Sequence, residues 1–270
     1  MERKEGSIMK NITYILLIAM FIALSTSVNA QKELEGLVIY FSFDEGKGDT
    51  VKDLGPLKLE GKLVANPKWV DGKFGKALEF GGPNVGNYVE VAHQPELDAG
   101  AAVTVMSWIF PNIWTKAPSC CDMVWGFGVH GGCGGRVQWG LFQETDLKAR
   151  FEADVRLDVA AKLPDPKKWT HVAITYEDGV GKVYLDGKLA AEGQGAGPLK
   201  KSNELLMIAV DCERLNYAFD GIIDEFRMFH QALSEGEINA HMGKGQDIIT
   251  TVDAKEKLAT AWGQVKQIEY

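Results

Sequence analysis

The residues able to do chemistry in this chain are scattered acids, four cysteines and one polar face. Asp224 stands in the alternating run Phe219-Asp220-Gly221-Ile222-Ile223-Asp224-Glu225-Phe226-Arg227-Met228-Phe229. A strand there puts Ile222, Asp224, Phe226 and Met228 on one side, with Ile223, Glu225, Arg227 and Phe229 opposite. The carboxylate interrupts an apolar row, which is costly unless a cation or several donors compensate it. Glu225 and Arg227 are same-face neighbours and can pair. Elsewhere, Glu144-Thr145-Asp146 and Glu152-Ala153-Asp154 each place two carboxylates on one face of a strand, the raw material for acid–base work. Lys148 and Arg156 occupy the next alternate position in each. Arg136, Gln138, Arg150, Glu152, Asp154 and Arg156 form a wet face suited to sugar hydroxyls or an acidic partner, and loop aromatics Trp114 and Tyr217 add stacking. An ordinary solvated, ion-paired face is the simpler reading of the same residues.

Cys120, Cys121, Cys133 and Cys212 are the four cysteines. An even count in an exported chain favours disulfides, with three pairings open to four cysteines. Adjacent Cys120 and Cys121 make a strained ring if joined. The expected arrangement therefore bonds one of them to Cys133 and the other to Cys212. A zinc site adding Asp122 and His130 is the alternative, although spaced C-x-x-C pairs are missing.

Export itself is read from residues 1–30. Arg3, Lys4 and Lys10 precede an apolar stretch at Ile12–Leu24, and Val28-Asn29-Ala30 resembles a cleavage site before Gln31. The stretch is shorter than the roughly 20 residues a membrane span needs. A secreted or periplasmic protein with no membrane insertion after cleavage is expected. The formal charge is −8 over 270 residues. Acidic balance without a basic run argues against nucleic acid and anionic membranes as partners.

The elements that must position these residues are short strands. Leu37–Phe43, Tyr88–Val91, Val103–Phe110, Arg136–Phe142, Ala149–Leu157, Trp169–Tyr176 and Leu205–Val210 all read as strands. Met106, Trp108 and Phe110 share a face, and Trp108 and Trp139 read as core. His171 packs on its sheet beside Thr175. Asp178-Gly179 and Asp186-Gly187 are hairpin turns. Pro111–Gly135, rich in Cys, Gly and Pro, is a long loop around a short strand at Met123–Phe127. Ser234-Glu235-Gly236-Glu237 has capping-box spacing and starts a helix. In the region 246–270, Leu258, Ala261, Trp262, Val265 and Ile268 share one helical face. The expected organisation is a signal segment at 1–30, one all-β domain at 31–245, and a short C-terminal helical tail.

Three stretches carry a resemblance. Tyr40-Phe41-Ser42-Phe43-Asp44-Glu45 is similar to the opening strand and acidic turn of the laminin-G-like, concanavalin-A-like lectin/glucanase jelly rolls. Trp169-Thr170-His171-Val172-Ala173 with Tyr184-Leu185-Asp186-Gly187 resembles their central hairpin. Phe219–Glu225 with Ala232-Leu233-Ser234 and Glu237-Ile238 resembles their closing strand and helix. The resemblance implies an antiparallel two-sheet jelly-roll sandwich used outside the cell to recognise glycans or proteins. It also implies that the first and last strands meet, bringing Asp44 near Asp224. Two carboxylates with backbone carbonyls, for instance from the Gly81-Gly82 turn, would suit calcium; the competing reading is that Asp224 accepts backbone amides and Asp44 shapes a turn.

Glucanases of this group carry Glu-x-Asp-x-Glu or Glu-x-Asp-x-x-Glu on one strand. Here Lys148 and Arg156 replace the third acid, Leu157 blocks the longer form, and a lysine or arginine there cannot protonate a leaving oxygen at neutral pH. The expectation is a secreted, non-catalytic recognition module that binds carbohydrate. The alternatives are an extracellular structural or adhesive protein that binds another protein, and a polysaccharide hydrolase or lyase with an atypical site.

Overall fold

The structure, a computed structural model, describes residues 34–83, 85–114, 122–129, 138–202, 204–211 and 217–246. Two antiparallel sheets make up the unit Gly36–Gly245. The first runs β14 (Lys188–Gln194), β13 (Val180–Leu185), β12 (Thr170–Glu177), β7 (Ala102–Pro111), β16 (Asp220–Phe229), β5 (Lys76–Gly81) and β4 (Lys68–Asp71), with β1 (Leu37–Phe41) also on β16. The second runs β11 (Leu157–Ala161), β10 (Leu147–Phe151), β9 (Trp139–Gln143), β8 (Asp122–Val129), β15 (Leu205–Ile208), β6 (Tyr88–Val91), β3 (Glu60–Val64) and β2 (Thr50–Lys52).

Alternation along the strands builds the core. Ile39, Phe41, Val105, Ile109, Val172 and Ile174 from the first sheet meet Trp125, Trp139, Leu141 and Phe151 from the second, all fully buried. The indole of Trp125 donates to Ser107 Oγ at 3.0 Å inside the sandwich. The two Asp-Gly hairpins form as their residue types require. Asp178 and Gly179 have φ of 48° and 86°, Asp186 and Gly187 of 48° and 74°, the double positive φ of a type I′ turn. Ser234 caps α1 (Glu235–Met242) with the full reciprocal box to Glu237.

β1 pairs with β16 from Leu37↔Phe229 to Phe41↔Phe226, so the opening and closing strands are neighbours. β16 departs from simple alternation. Between Asp224↔Trp108 and Arg227↔Met106 it advances three residues while β7 advances two. The extra residue is a β-bulge, and Glu225 sits in it at φ 58°. The bulge reverses the phase of the strand: Ile223, Phe226 and Met228 all face the core, and Asp224 does not interrupt that row. It lies with Ile222 and Arg227 on the outer face of the sheet.

Two further expectations are corrected. Ala149–Leu157 is not one strand, because β10 ends at Phe151 and β11 begins at Leu157. Ala153 drops into the core while Val155 is 59 % exposed, so residues 152–156 turn rather than alternate. Trp108 is buried, but on the outer face of its sheet, where its indole donates to Met242 O at 3.2 Å beneath α1. His171 lies beside it, edge-on at 5.4 Å between centroids.

Candidate functional site

The bulge assembles a buried polar cluster on the outer face of the first sheet. Glu225 Oε2 accepts from Tyr40 Oη at 2.6 Å and pairs with Arg227. The Arg227 guanidinium lies over the Tyr40 ring, 4.3 Å from its centroid. Arg227 then donates to the carbonyls of His241 at 2.8 Å and Lys244 at 2.6 Å. One buried cation thus links a carboxylate to carbonyls at and just past the C-terminal end of α1. The Glu225–Arg227 pair was legible in the sequence as same-face neighbours. Its burial, at 1 % and 2 % side-chain exposure, needed the β1 contact and the α1 cover.

Asp224 is held differently. Its Oδ2 accepts from Phe74 N at 3.0 Å, while Oδ1 is buried with no hydrogen-bond partner. Asp44 Oδ1 accepts from Lys76 N at 2.7 Å. Both acids therefore grip the turn at residues 72–76, as backbone-amide acceptors. That turn, rather than Gly81-Gly82, lies between them; Gly81 pairs with Asp220 at the other end of β16. The turn passes so close that a Cβ on Gly75, already at φ 50°, would meet Asp44 Oδ1 at 1.9 Å. Burial first, then the neighbouring Glu225 and Asp44 carboxylates, push the Asp224 carboxyl up to about 8. Glu225 is likewise pushed up to about 7, chiefly by burial, with Arg227 and Tyr40 opposing.

A divalent cation here would meet Asp44 and the buried Asp224 Oδ1, which has no hydrogen-bond partner. Among the described residues no three His, Cys, Asp or Glu side chains converge to hold a metal alone. The remaining ligands would be backbone carbonyls and water.

The sequence-chosen polar face is only partly one site. Gln138 is buried, with its Oε1 accepting from Ala99 N and its Nε2 donating to Asp98 Oδ1 and Lys200 O. It ties loops together and has no amide group left for a ligand. Arg150 makes a two-pronged pair with Asp158, both contacts at 2.7 Å, and lies over the Phe142 ring at 4.8 Å. Glu152 pairs with Arg156 and Lys200 at 3.2 and 3.6 Å. Trp114 is a core residue: its indole donates to Pro164 O at 2.8 Å and its ring packs on Phe219. It offers no free face for stacking. Tyr217 is half-buried, and its backbone carbonyl accepts from Asp211 N at 3.0 Å. Arg136, the four cysteines, the 1–30 segment and all of the 246–270 tail beyond Gln246 lie outside the described residues.

The glucanase-type acids fall in turns. Glu144-Thr145-Asp146 is the connection between β9 and β10, with Glu144 paired to Lys148. Glu152 and Asp154 lie between β10 and β11.

The chain belongs to the concanavalin A-like lectin/glucanases superfamily, with residues 81–239 matching the Laminin G type 3 family of that group. No curated protein sequence matches it significantly. Among solved structures it is similar to the binding domain of Paraclostridial Mosquitocidal Protein 1, at TM-score 0.62 and 16% identity, covering 77% of this chain and 52% of that one. It thus spans about half of that toxin domain. Domain 4 of AbnA, an extracellular arabinanase from Geobacillus stearothermophilus, solved in complex with arabinotriose, is similar at TM-score 0.56 and 20% identity, covering 76% and 97%. Trypanosoma rangeli sialidase in complex with the inhibitor DANA is similar at TM-score 0.58 and 18% identity, covering 79% and 33%. At these identities the likeness is one of fold.

Proposed function

We propose that this protein is an exported, non-catalytic carbohydrate-recognition module. The observation that carries the reading is its near full-length match to a saccharide-bound domain of an arabinanase, 97% of which is covered. Its own acids support a binding role, because Glu144 and Glu152 sit in turns paired to Lys148 and to Arg156. Calcium at Asp44 and Asp224 belongs to the same reading. Bound there, it would supply positive charge to these two carboxylates, which hold the turn at residues 72–76 through Phe74 N and Lys76 N.

The test is a glycan array on the mature protein, with and without calcium, run beside reducing-sugar release from a polysaccharide panel. Binding with no sugar release is the expected result. A silent array with a protein partner recovered from the extracellular fraction would establish the adhesive alternative instead. Sugar release would establish an enzyme.

A further inference from the structure

Part of the outer face of the first sheet lies beneath α1, where Trp108 and His171 are buried. The adjoining row is different. Phe110 and Trp169 meet edge-to-face, 5.6 Å between centroids at 60°, and both are half-buried. Register extends this pair across the sheet: Phe110 faces Ile222, Ile222 faces Glu79, and Glu79 faces Lys68. Ile222 is also half-buried, and Ile113 at the rim is 56 % exposed.

Polar groups flank this apolar floor. Asn112 Nδ2 donates to Asp220 Oδ1 at 2.9 Å, and the same two residues are bonded through their backbones, Asn112 N to Asp220 O at 2.9 Å. Across the sheet, on β5 and β4, Glu79 stands 3.9 Å from Lys68. Alternation on β16 puts Asp220 on the same face as Ile222. The stripe crosses β7, β16, β5 and β4, about 15 Å at the usual strand spacing.

The geometry points to a saccharide subsite on this stripe, with Trp169 stacking a neutral sugar ring, Phe110 propping the indole edge-to-face, and the Asn112–Asp220 pair taking its hydroxyls. The inference rests on the carbohydrate-binding reading and moves its site off the Arg150 face. The C–H face of a pyranose or furanose is apolar and suits an aromatic ring, while vicinal hydroxyls both donate and accept, which an amide beside a carboxylate reciprocates. Glu79 and Lys68 offset each other and Asp220 adds an acid, so nothing here favours a strongly anionic sugar. The length suits a short oligosaccharide rather than a single ring. By contrast, the guanidinium of Arg150 is already matched to Asp158.

The experiment titrates mature protein with arabinotriose, xylotriose and cellotriose by calorimetry. It compares wild type with Trp169→Ala, Asn112→Ala and Arg150→Ala, each checked for an unchanged circular dichroism spectrum. Expected is a tenfold or greater loss of affinity in Trp169→Ala, a several-fold loss in Asn112→Ala, and near wild-type affinity in Arg150→Ala. If Trp169→Ala unfolds, Asn112→Ala and saccharide protection of tryptophan from acrylamide quenching decide the matter. Saccharide binding lost in Arg150→Ala but kept in Trp169→Ala and Asn112→Ala overturns the subsite and leaves the module reading standing. No saccharide binding by the wild type, here or on the array, overturns both.

Discussion

His171 carries a testable consequence of its burial. Its ring is fully enclosed beside Trp108, and Nδ1 has no hydrogen-bond partner. Burial, with the Arg227 and His241 charges, brings its pKa down to about 3. The folded protein therefore holds the imidazole neutral where the unfolded chain, at the ordinary value near 6.5, takes up a proton. Stability from this residue is complete above pH 6.5 and is lost as pH falls from there towards 3. Asp224, with its raised value, contributes a slope of opposite sign between pH 4 and 8, so the wild-type curve alone does not separate the two. Urea unfolding of wild type and His171→Phe from pH 3 to 8 isolates the histidine. The variant is expected to gain on wild type by roughly 1–3 kcal/mol as pH falls through that window. Parallel curves would refute the assignment. Little of this was readable beforehand: the sequence put His171 beside Thr175, but nothing in a strand pattern says that a helix some sixty residues on will roof the imidazole.

At the scale of elements, α1 is fastened to the β13–β14 turn by side chains that depend on one glycine. Asn239 Nδ2 donates to Gly187 O at 2.8 Å, and Leu189 N donates to Glu235 Oε2 at 3.1 Å. A Cβ on Gly187 would stand 2.1 Å from Asn239 Oδ1, and φ there is 74°. Gly187→Ala combines a disfavoured conformation with a clash, and is expected to cost about 2–3 kcal/mol in chemical denaturation. Ser234→Ala, which removes only the cap, is expected to cost about 1 kcal/mol. Equal losses would show that the turn does not position the helix. Both features were legible, because Asp-Gly turns and the Ser-x-x-Glu box announce themselves locally. The reversal inside β16 was not. Strand alternation assumes one residue per register step, and Glu225 breaks that assumption through pairing with β7, a partner more than a hundred positions away. The same blind spot joined residues 149–157 into one strand, although the apolar residues continue through a turn.

For the whole molecule, the prediction concerns the Asp44 and Asp224 carboxyl groups. Saturating calcium is expected to raise the midpoint of thermal unfolding by roughly 5–10 °C over chelated protein, as millimolar ligand at a site of micromolar affinity should. Asp224→Asn keeps an oxygen for Phe74 N and should abolish the rise. An unchanged midpoint in excess chelator would retire the ion. The proposed bridges among Cys120, Cys121, Cys133 and Cys212 predict no thiol reactive to Ellman's reagent in unreduced, denatured protein; two or more equivalents per chain would refute them. The jelly roll was readable from dispersed strands and turns because each obeys local rules. Which polar groups end up buried was not, since that depends on how loops from separate strands close over a sheet face. Trp114 and Gln138 show this: each sits in an exposed-looking context, yet each is enclosed by residues far away in sequence.

The pairing of β1 with β16 bears on how the unit would respond to tension. Leu37 lies opposite Phe229, and His230 N donates to Gly36 O at 2.8 Å. The chain therefore enters and leaves this strand pair at the same end. A pull on both leads would peel the pair open one hydrogen bond at a time rather than load all of them in shear. The first firm resistance on the exit side is Arg227, gripping the carbonyls of His241 and Lys244. Held in line between two anchors, such a unit yields early, and the guanidinium sets where it begins to give.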